Sequence, residues 1–366
     1  MIDITREYLN DRYGYITNYL KQDSFLGDVD VSSVIDRLLY LSSELLDDGT
    51  RRVSRKRDKH LRINNIIKLS SEILNSIDPD LCDLFKQSLI DGSFIMYPEG
   101  KEEKLRKKFL SKLDYFKAQC FEKEGCHVCC ASSSDLIVKC PISGTVGDVV
   151  SIVHEMIHFA ARKEAFKKDP YLFNQKHSLL TEVPSIYFEK YAMDYLVSIG
   201  FDKDSLYSQY LERFNENLMA TTFYIAEFDF LNVFNRDKEV NRNNLLEDER
   251  FPVLLDNMIK IGNSDKSRDK ELSYMYDISK VLQSKDKDAW CDWWISTTDI
   301  VRNSEHLSYI LGRCYTSVLP QDKDTLREMY DISKCVYFPS KVVSDNALFS
   351  RVESCINKKY KSKVKM

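Results

Sequence analysis

The stretch Ser151-Ile-Val-His154-Glu155-Met-Ile-His158-Phe-Ala-Ala161 decides how the rest of the chain is read. It contains His-Glu-x-x-His within residues that favour a helix. Residues four apart on a helix lie on one face, so His154 and His158 can offer two imidazole nitrogens to a single zinc ion. Glu155, beside His154, can reach a water on that ion and is the candidate general base. Val149, Val150, Ile152, Val153, Met156, Ile157, Phe159 and Ala160 make the helix apolar nearly all round, the pattern of a buried helix. Two imidazoles and a carboxylate in such a helix need polar partners, and a metal ion is one answer. The plainer alternative is a pair of surface histidines beside an unrelated glutamate.

The flanks set the helix limits. Thr145 followed three residues later by Asp148 has the form of an N-terminal cap. Arg162, Lys163, Lys167 and Lys168 put positive charge at the other end, and Pro170 acts as a stop. The expected helix runs over 146–168. Upstream, Asp135-Leu-Ile-Val-Lys-Cys140-Pro141 is short and β-branched and reads as a strand beside it. Such a strand can bind an extended peptide by adding it as a neighbour.

Downstream, Thr181-Glu182-Val-Pro184-Ser185-Ile-Tyr-Phe-Glu189 opens a second helix, stopped by Gly200. Pro184 fits there as a first-turn residue. Glu182, 24 residues after His158, is the candidate third ligand. Glu189 lies two turns further along the same face and could hold a ligand histidine through a hydrogen bond. For each glutamate the alternative is an exposed helix charge.

These residues carry a resemblance. Gly144-Thr-Val-Gly-Asp-Val-Val-Ser-Ile-Val-His154-Glu-Met-Ile-His158, followed by Glu182-x-Pro184-Ser185-x-x-x-Glu189, resembles the thimet oligopeptidase and oligoendopeptidase F family of zinc peptidases. The resemblance covers about 135–200. It implies His154, His158 and Glu182 as ligands, Glu155 as base, and Glu189 as support for a ligand. Ile157 stands where the family usually has glycine, and the chain is shorter than a typical member. The segment His306-Leu-Ser-Tyr309-Ile-Leu-Gly312-Arg-Cys-Tyr315 resembles the family's late His and Tyr residues. It implies His306 and Tyr309 as donors to the reacting carbonyl, with Tyr315 as a third candidate. The alternative is that they are helix packing residues.

The remaining sequence sets broader limits. The chain has 366 residues, 43% of them hydrophobic, enough for one large domain or two smaller ones. Gly 11 and Pro 8 are low counts that favour helices over turn-rich β structure. The expected fold is therefore mainly α, of the helical zincin type, with a small sheet beside the active-site helix. Expected regions are a helical part over 1–120 and a catalytic part over 121–366, possibly interwoven as one domain. Val34–Leu46 and Leu61–Leu74 both have helical periodicity.

A formal charge of −4 argues against nucleic acid as the partner. The basic run Arg51–Lys59 is read as a solvated face, with phosphate binding as its alternative. No apolar run reaches the roughly 18 residues that span a bilayer. The start lacks a signal pattern, and with ten cysteines this points to the cytoplasm. Cys126-His-Val-Cys129-Cys130 has half of a zinc-binding pattern, and free buried thiols are the expected reading. Asn235–Arg250 is expected to be a loop, 201–234 an aromatic helical core, and Trp290, Trp293 and Trp294 a buried cluster. The functional expectation is a zinc-dependent hydrolase acting on a peptide or protein, the alternative being a catalytically silent zinc-binding scaffold.

Overall fold

The computed structural model describes residues 60–122, 125–130, 136–169, 181–207, 210, 242–253, 286, 288–289, 309, 312–313, 316 and 319–337. The chain divides into two units, one of 1–43 with 214–310 and one of 44–213 with 311–366. The second unit holds nearly all the described elements. Val34–Leu46, Arg51–Lys59, Trp290, Trp293 and Trp294 lie outside the described residues, as does most of 201–234.

In the second unit, α1 (Ile63–Ile77) and α2 (Pro79–Asp91) meet at Asp78. Its backbone N–H donates to Leu74 O at 2.9 Å, and its carboxylate accepts from Asp80 N at 2.8 Å. Pro79 starts α2 where its missing N–H costs nothing. Then follow β1 (Phe94–Pro98), α3 (Glu102–Leu110), α4 (Tyr115–Cys120), β2 (His127–Cys130) and β3 (Leu136–Ile142). The fold is mainly helical with this small sheet, as expected.

The sheet order is β1-β3-β2, with β1 parallel and β2 antiparallel to β3. Two of the three strands differ from the sequence reading. β1 falls in a stretch expected to be helical, and β2 in one read only as a thiol cluster. Phe94-Ile-Met-Tyr97 is an apolar run too short to separate helix from strand by period. Pairing with β3 decides it. β3 includes Pro141 and ends at Ile142, just before Ser143-Gly144. Val138 N–H donates to Ser93 O, and Ile142 O accepts from Glu99 N, so alternate residues of β3 bond toward β1. Pro141 faces the other edge, where β2 has already ended at the His127–Lys139 pair, and its missing donor breaks no ladder bond.

One sheet face packs against α5 (Val146–Lys168), which has the limits the sequence predicts. The other face, with Ile95, Tyr97 and Cys129, is covered by Leu105, Phe109, Phe116, Cys120 and Phe121 of the α3–α4 segment. None of the seven described cysteines is in a disulfide. Cys82, Cys120 and Cys140 are buried; Cys126, Cys129, Cys130 and Cys335 are half-buried. α6 (Glu182–Ser198) packs along α5, and α8 (Lys323–Ser333) closes over α6, α5 and α1. Tyr187 of α6 donates to Pro320 O at 2.7 Å, tying the segment before α8 to the same core.

The start of α5 is built by Asp148. Its carboxylate accepts from Thr145 N at 3.1 Å, Gly144 N at 2.7 Å, and Ser143 N and Oγ at 3.2 and 2.9 Å. Gly144 has φ 83° and its O accepts from Leu61 N at 2.7 Å. A Cβ there would sit 2.1 Å from the His60 ring, so only glycine fits.

The first unit contributes α7 (Arg242–Glu247). This corrects the later part of the expected loop over Asn235–Arg250, whose residues 235–241 lie outside the described residues. Arg, Leu and Glu are good helix formers, and the polar composition hid their propensity. Beyond it, Asp248 accepts from Arg250 Nε and Nη2 at 2.9 and 2.7 Å.

Because Asp148 receives four hydrogen bonds, Asp148→Ala should destabilise the protein by about 2 kcal/mol. Denaturant unfolding measures this, and a loss below about 0.5 kcal/mol would contradict the role given to this cap.

Candidate metal centre

α5 is buried along most of its length, and it carries His154, Glu155 and His158 into the interior of the second unit. Their exposures are 5%, 8% and 8%, which excludes the surface-pair alternative. α6 crosses beside this face and brings in Glu182 and Glu189, at 9% and 3%. Neither glutamate is an exposed helix charge.

The three candidate ligands converge. His158 Nε2 lies 3.1 Å from His154 Nε2 and 3.2 Å from Glu182 Oε2, and His154 Nε2 lies 3.3 Å from the same oxygen. Ligand atoms bound tetrahedrally to zinc at about 2.0–2.2 Å would lie about 3.3–3.5 Å apart. The triangle of donors has nearly these edges. Among the described residues these three are the grouping that could hold a metal ion.

Two contacts orient the candidate ligands. His154 Nδ1 lies 2.8 Å from Glu189 Oε1. A carboxylate accepts there, so Nδ1 carries the proton and Nε2 turns a lone pair toward the other donors. Ser185 Oγ donates to Glu182 Oε2 at 3.2 Å and to Glu182 O at 2.9 Å, holding the carboxylate over its own helix turn. With both imidazoles neutral, atoms this close repel one another in a dry interior, and a shared cation, either a metal ion or a proton taken up by His154, relieves the repulsion. The donor set therefore fits a metal ion.

Charge within the cluster follows from the same crowding. Burial opposes a charge on His154, but the Glu182 and Glu189 carboxylates outweigh it and push the imidazole up to about 10. Burial would raise Glu182, yet His158 and His154 hold it well below its ordinary 4.5. Burial pushes Glu155 up to about 8, opposed by His154 and Arg162 and reinforced by Glu182 and Glu189.

Arg162 and Tyr337 also border the cluster. Arg162, one turn beyond His158, places its guanidinium 5.4 Å from the Tyr337 ring centre. Burial raises the Tyr337 phenol, Arg162 lowers it and Glu182 raises it, so both charges lie within its reach. Arg313, which is 2% exposed, lies 3.8 Å from Glu189 Oε2 through Nη1. In sequence Arg162 reads only as a helix-end charge, and Tyr337 and Arg313 carry no motif. The local signal for Arg313 is the glycine before it, which permits close packing of the backbone.

Of the remaining site residues, His306 and Tyr315 lie outside the described residues. Tyr309 is helical, half-buried and part of the first unit. Among the described residues no helix is long and apolar enough to cross a membrane.

No protein-family model and no curated protein matches the chain. A solved structure described as a "putative oligoendopeptidase F from Bacillus anthracis str. Ames" is similar at 11% identity and a TM-score of 0.48. The match covers 98% of this chain and 59% of that one, so the chain spans well under two thirds of that protein's length.

In metal-free protein, His154 contributes stability that is complete below its ordinary 6.5 and is lost as pH rises toward about 10. Glu155 acts in the same direction, because ionising a buried carboxyl costs free energy as pH rises from 4.5 through about 8. The melting temperature of metal-free protein should therefore fall from pH 6.5 to 10, and His154→Gln should flatten the fall. An unchanged slope in that variant would contradict this assignment.

Proposed function

We propose that the chain is a zinc-dependent peptide hydrolase, with His154, His158 and Glu182 as ligands and Glu155 as general base. The observation that carries this reading is the convergence of two imidazole nitrogens and one carboxylate oxygen within 3.1–3.3 Å. Zinc held by such a set would lower the pKa of a water toward neutrality and polarise a carbonyl.

The chain's own residues supply the rest. Glu155 follows His154 directly on α5 and is buried beside the ligands. Its carboxyl, raised to about 8 by burial, can take a proton near neutral pH and return it to a leaving amine. A cation on the neighbouring donors pulls in the opposite direction and favours the ionised base. Glu189 keeps the proton of His154 on Nδ1, and Ser185 keeps Glu182 turned toward the histidines. The apolar walls of α5 and α6 exclude bulk water from these contacts and strengthen them.

The resemblance adds His306 and Tyr309, with Tyr315 in reserve, as hydrogen-bond donors to the oxyanion that forms during attack. The proposed substrate is a peptide or protein in the cytoplasm, with neither nucleic acid nor membrane as partner. The division into a helical part over 1–120 and a catalytic part over 121–366 belongs to the same proposal. A purely structural zinc site has no use for Glu155, and this separates the reading from a silent scaffold.

Two substitutions test it. Glu155→Gln should keep the metal and lose about 10²–10⁴-fold in hydrolysis of a fluorogenic peptide. Chelator should abolish hydrolysis by the unaltered chain; a chain that binds zinc yet cleaves nothing in a broad peptide library is a scaffold. Glu182→Ala should lower metal content well below one ion per chain by elemental analysis. Retention of a full ion would remove Glu182 from the ligand set.

A further inference from the structure

The support of His154 continues one residue further than the carboxylate that touches it. Glu189 uses its two oxygens separately. Oε1 meets His154 Nδ1 at 2.8 Å, and Oε2 faces Arg313 Nη1 at 3.8 Å. Both side chains are almost wholly enclosed, at 4% and 1% exposure. A carboxylate buried to that degree stays ionised when a cation lies close by. Arg313 supplies one, with a guanidinium that keeps its charge at any working pH.

Two features hold Arg313 in place. Its guanidinium lies 4.1 Å from the centre of the Tyr210 ring, close enough for cation–π attraction. The residue before it is Gly312, which packs directly on α6 at the ligand turn. A Cβ on Gly312 would stand 2.5 Å from Ile186 Cδ1 and 3.1 Å from Glu182 O. Only a residue without a side chain lets this backbone approach so near, and that approach brings Arg313 to Glu189.

We propose that Arg313 is a positioning residue of the metal centre: it holds the Glu189 carboxylate against His154 Nδ1, so that His154 presents Nε2 to the ion. This rests on the metal-binding reading given above. Arg313 acts through Glu189, whose other oxygen meets His154.

Zinc affinity of the full chain, measured by competition with a chelating dye, tests this. Groups that orient a ligand typically change metal affinity by about 10–100-fold. Glu189→Gln and Arg313→Met should each weaken zinc binding at least about tenfold on that scale. In the Glu189→Gln background, Arg313→Met should cost less than about twofold more, because the carboxylate it serves is gone. Arg313→Lys, which keeps the charge, should recover most of the affinity.

Unchanged affinity in Arg313→Met, or fully additive losses in the double variant, would overturn the proposal. If Arg313→Met fails to fold, the double variant removes both buried charges together, and its folding would support the coupling. Failure of both variants to fold assigns Arg313 to packing on Tyr210 and overturns it. An unaltered chain that takes up no zinc overturns the metal reading itself, and that result is visible before any variant is made.

Discussion

The second unit is arranged around three acceptor atoms that point at each other inside an apolar shell. Two imidazole nitrogens and a carboxylate oxygen 3.1–3.3 Å apart need positive charge among them, supplied by a metal ion or, without one, by a proton on His154. The rest of the architecture keeps them together. α5 provides two of the groups at helical spacing, α6 provides the third, and all three are buried where the helices meet. Ser185 and Glu189 then fix the orientation that packing alone would leave free.

The small sheet contributes by supporting α5 from behind. β3 is the central strand, and its residues Val138 and Cys140 are fully buried. The turn from β3 into α5 is held by Asp148, whose carboxylate gathers the N–H groups of Ser143, Gly144 and Thr145. The position of His154 along its helix is therefore set by a strand, a cap and a glycine that makes room for His60. On the far side, α8 and the segment of Gly312 and Arg313 press against α6. The candidate ligand from α6 sits on a helix tied to chain more than 130 residues distant in sequence, through the Tyr187–Pro320 hydrogen bond.

Much of the candidate site was legible because its signals are local. The four-residue spacing of His154 and His158 follows from the helix, and the limits of α5 follow from Thr145, Asp148 and the lysines at its end. Glu182 was harder. Its distance along the chain from His158 has no geometric meaning until the two helices are seen side by side. The sheet was only one-third legible. β3 has a run of β-branched residues, whereas β1 and β2 are too short to carry a period and form because β3 offers them backbone partners.

The sequence by itself determined a mainly helical chain with a buried His-Glu-x-x-His helix, because hydrophobic period, capping and ligand spacing all act within a few residues. Only the tertiary structure decided that Glu182 and Glu189 are buried rather than solvated. It alone decided that Glu189 meets Nδ1 while Glu182 meets Nε2, and that Arg313 stands behind Glu189. Charges of this kind carry no local pattern. Their partners are chosen by which helices pack together, and that choice depends on apolar surface spread over the whole unit.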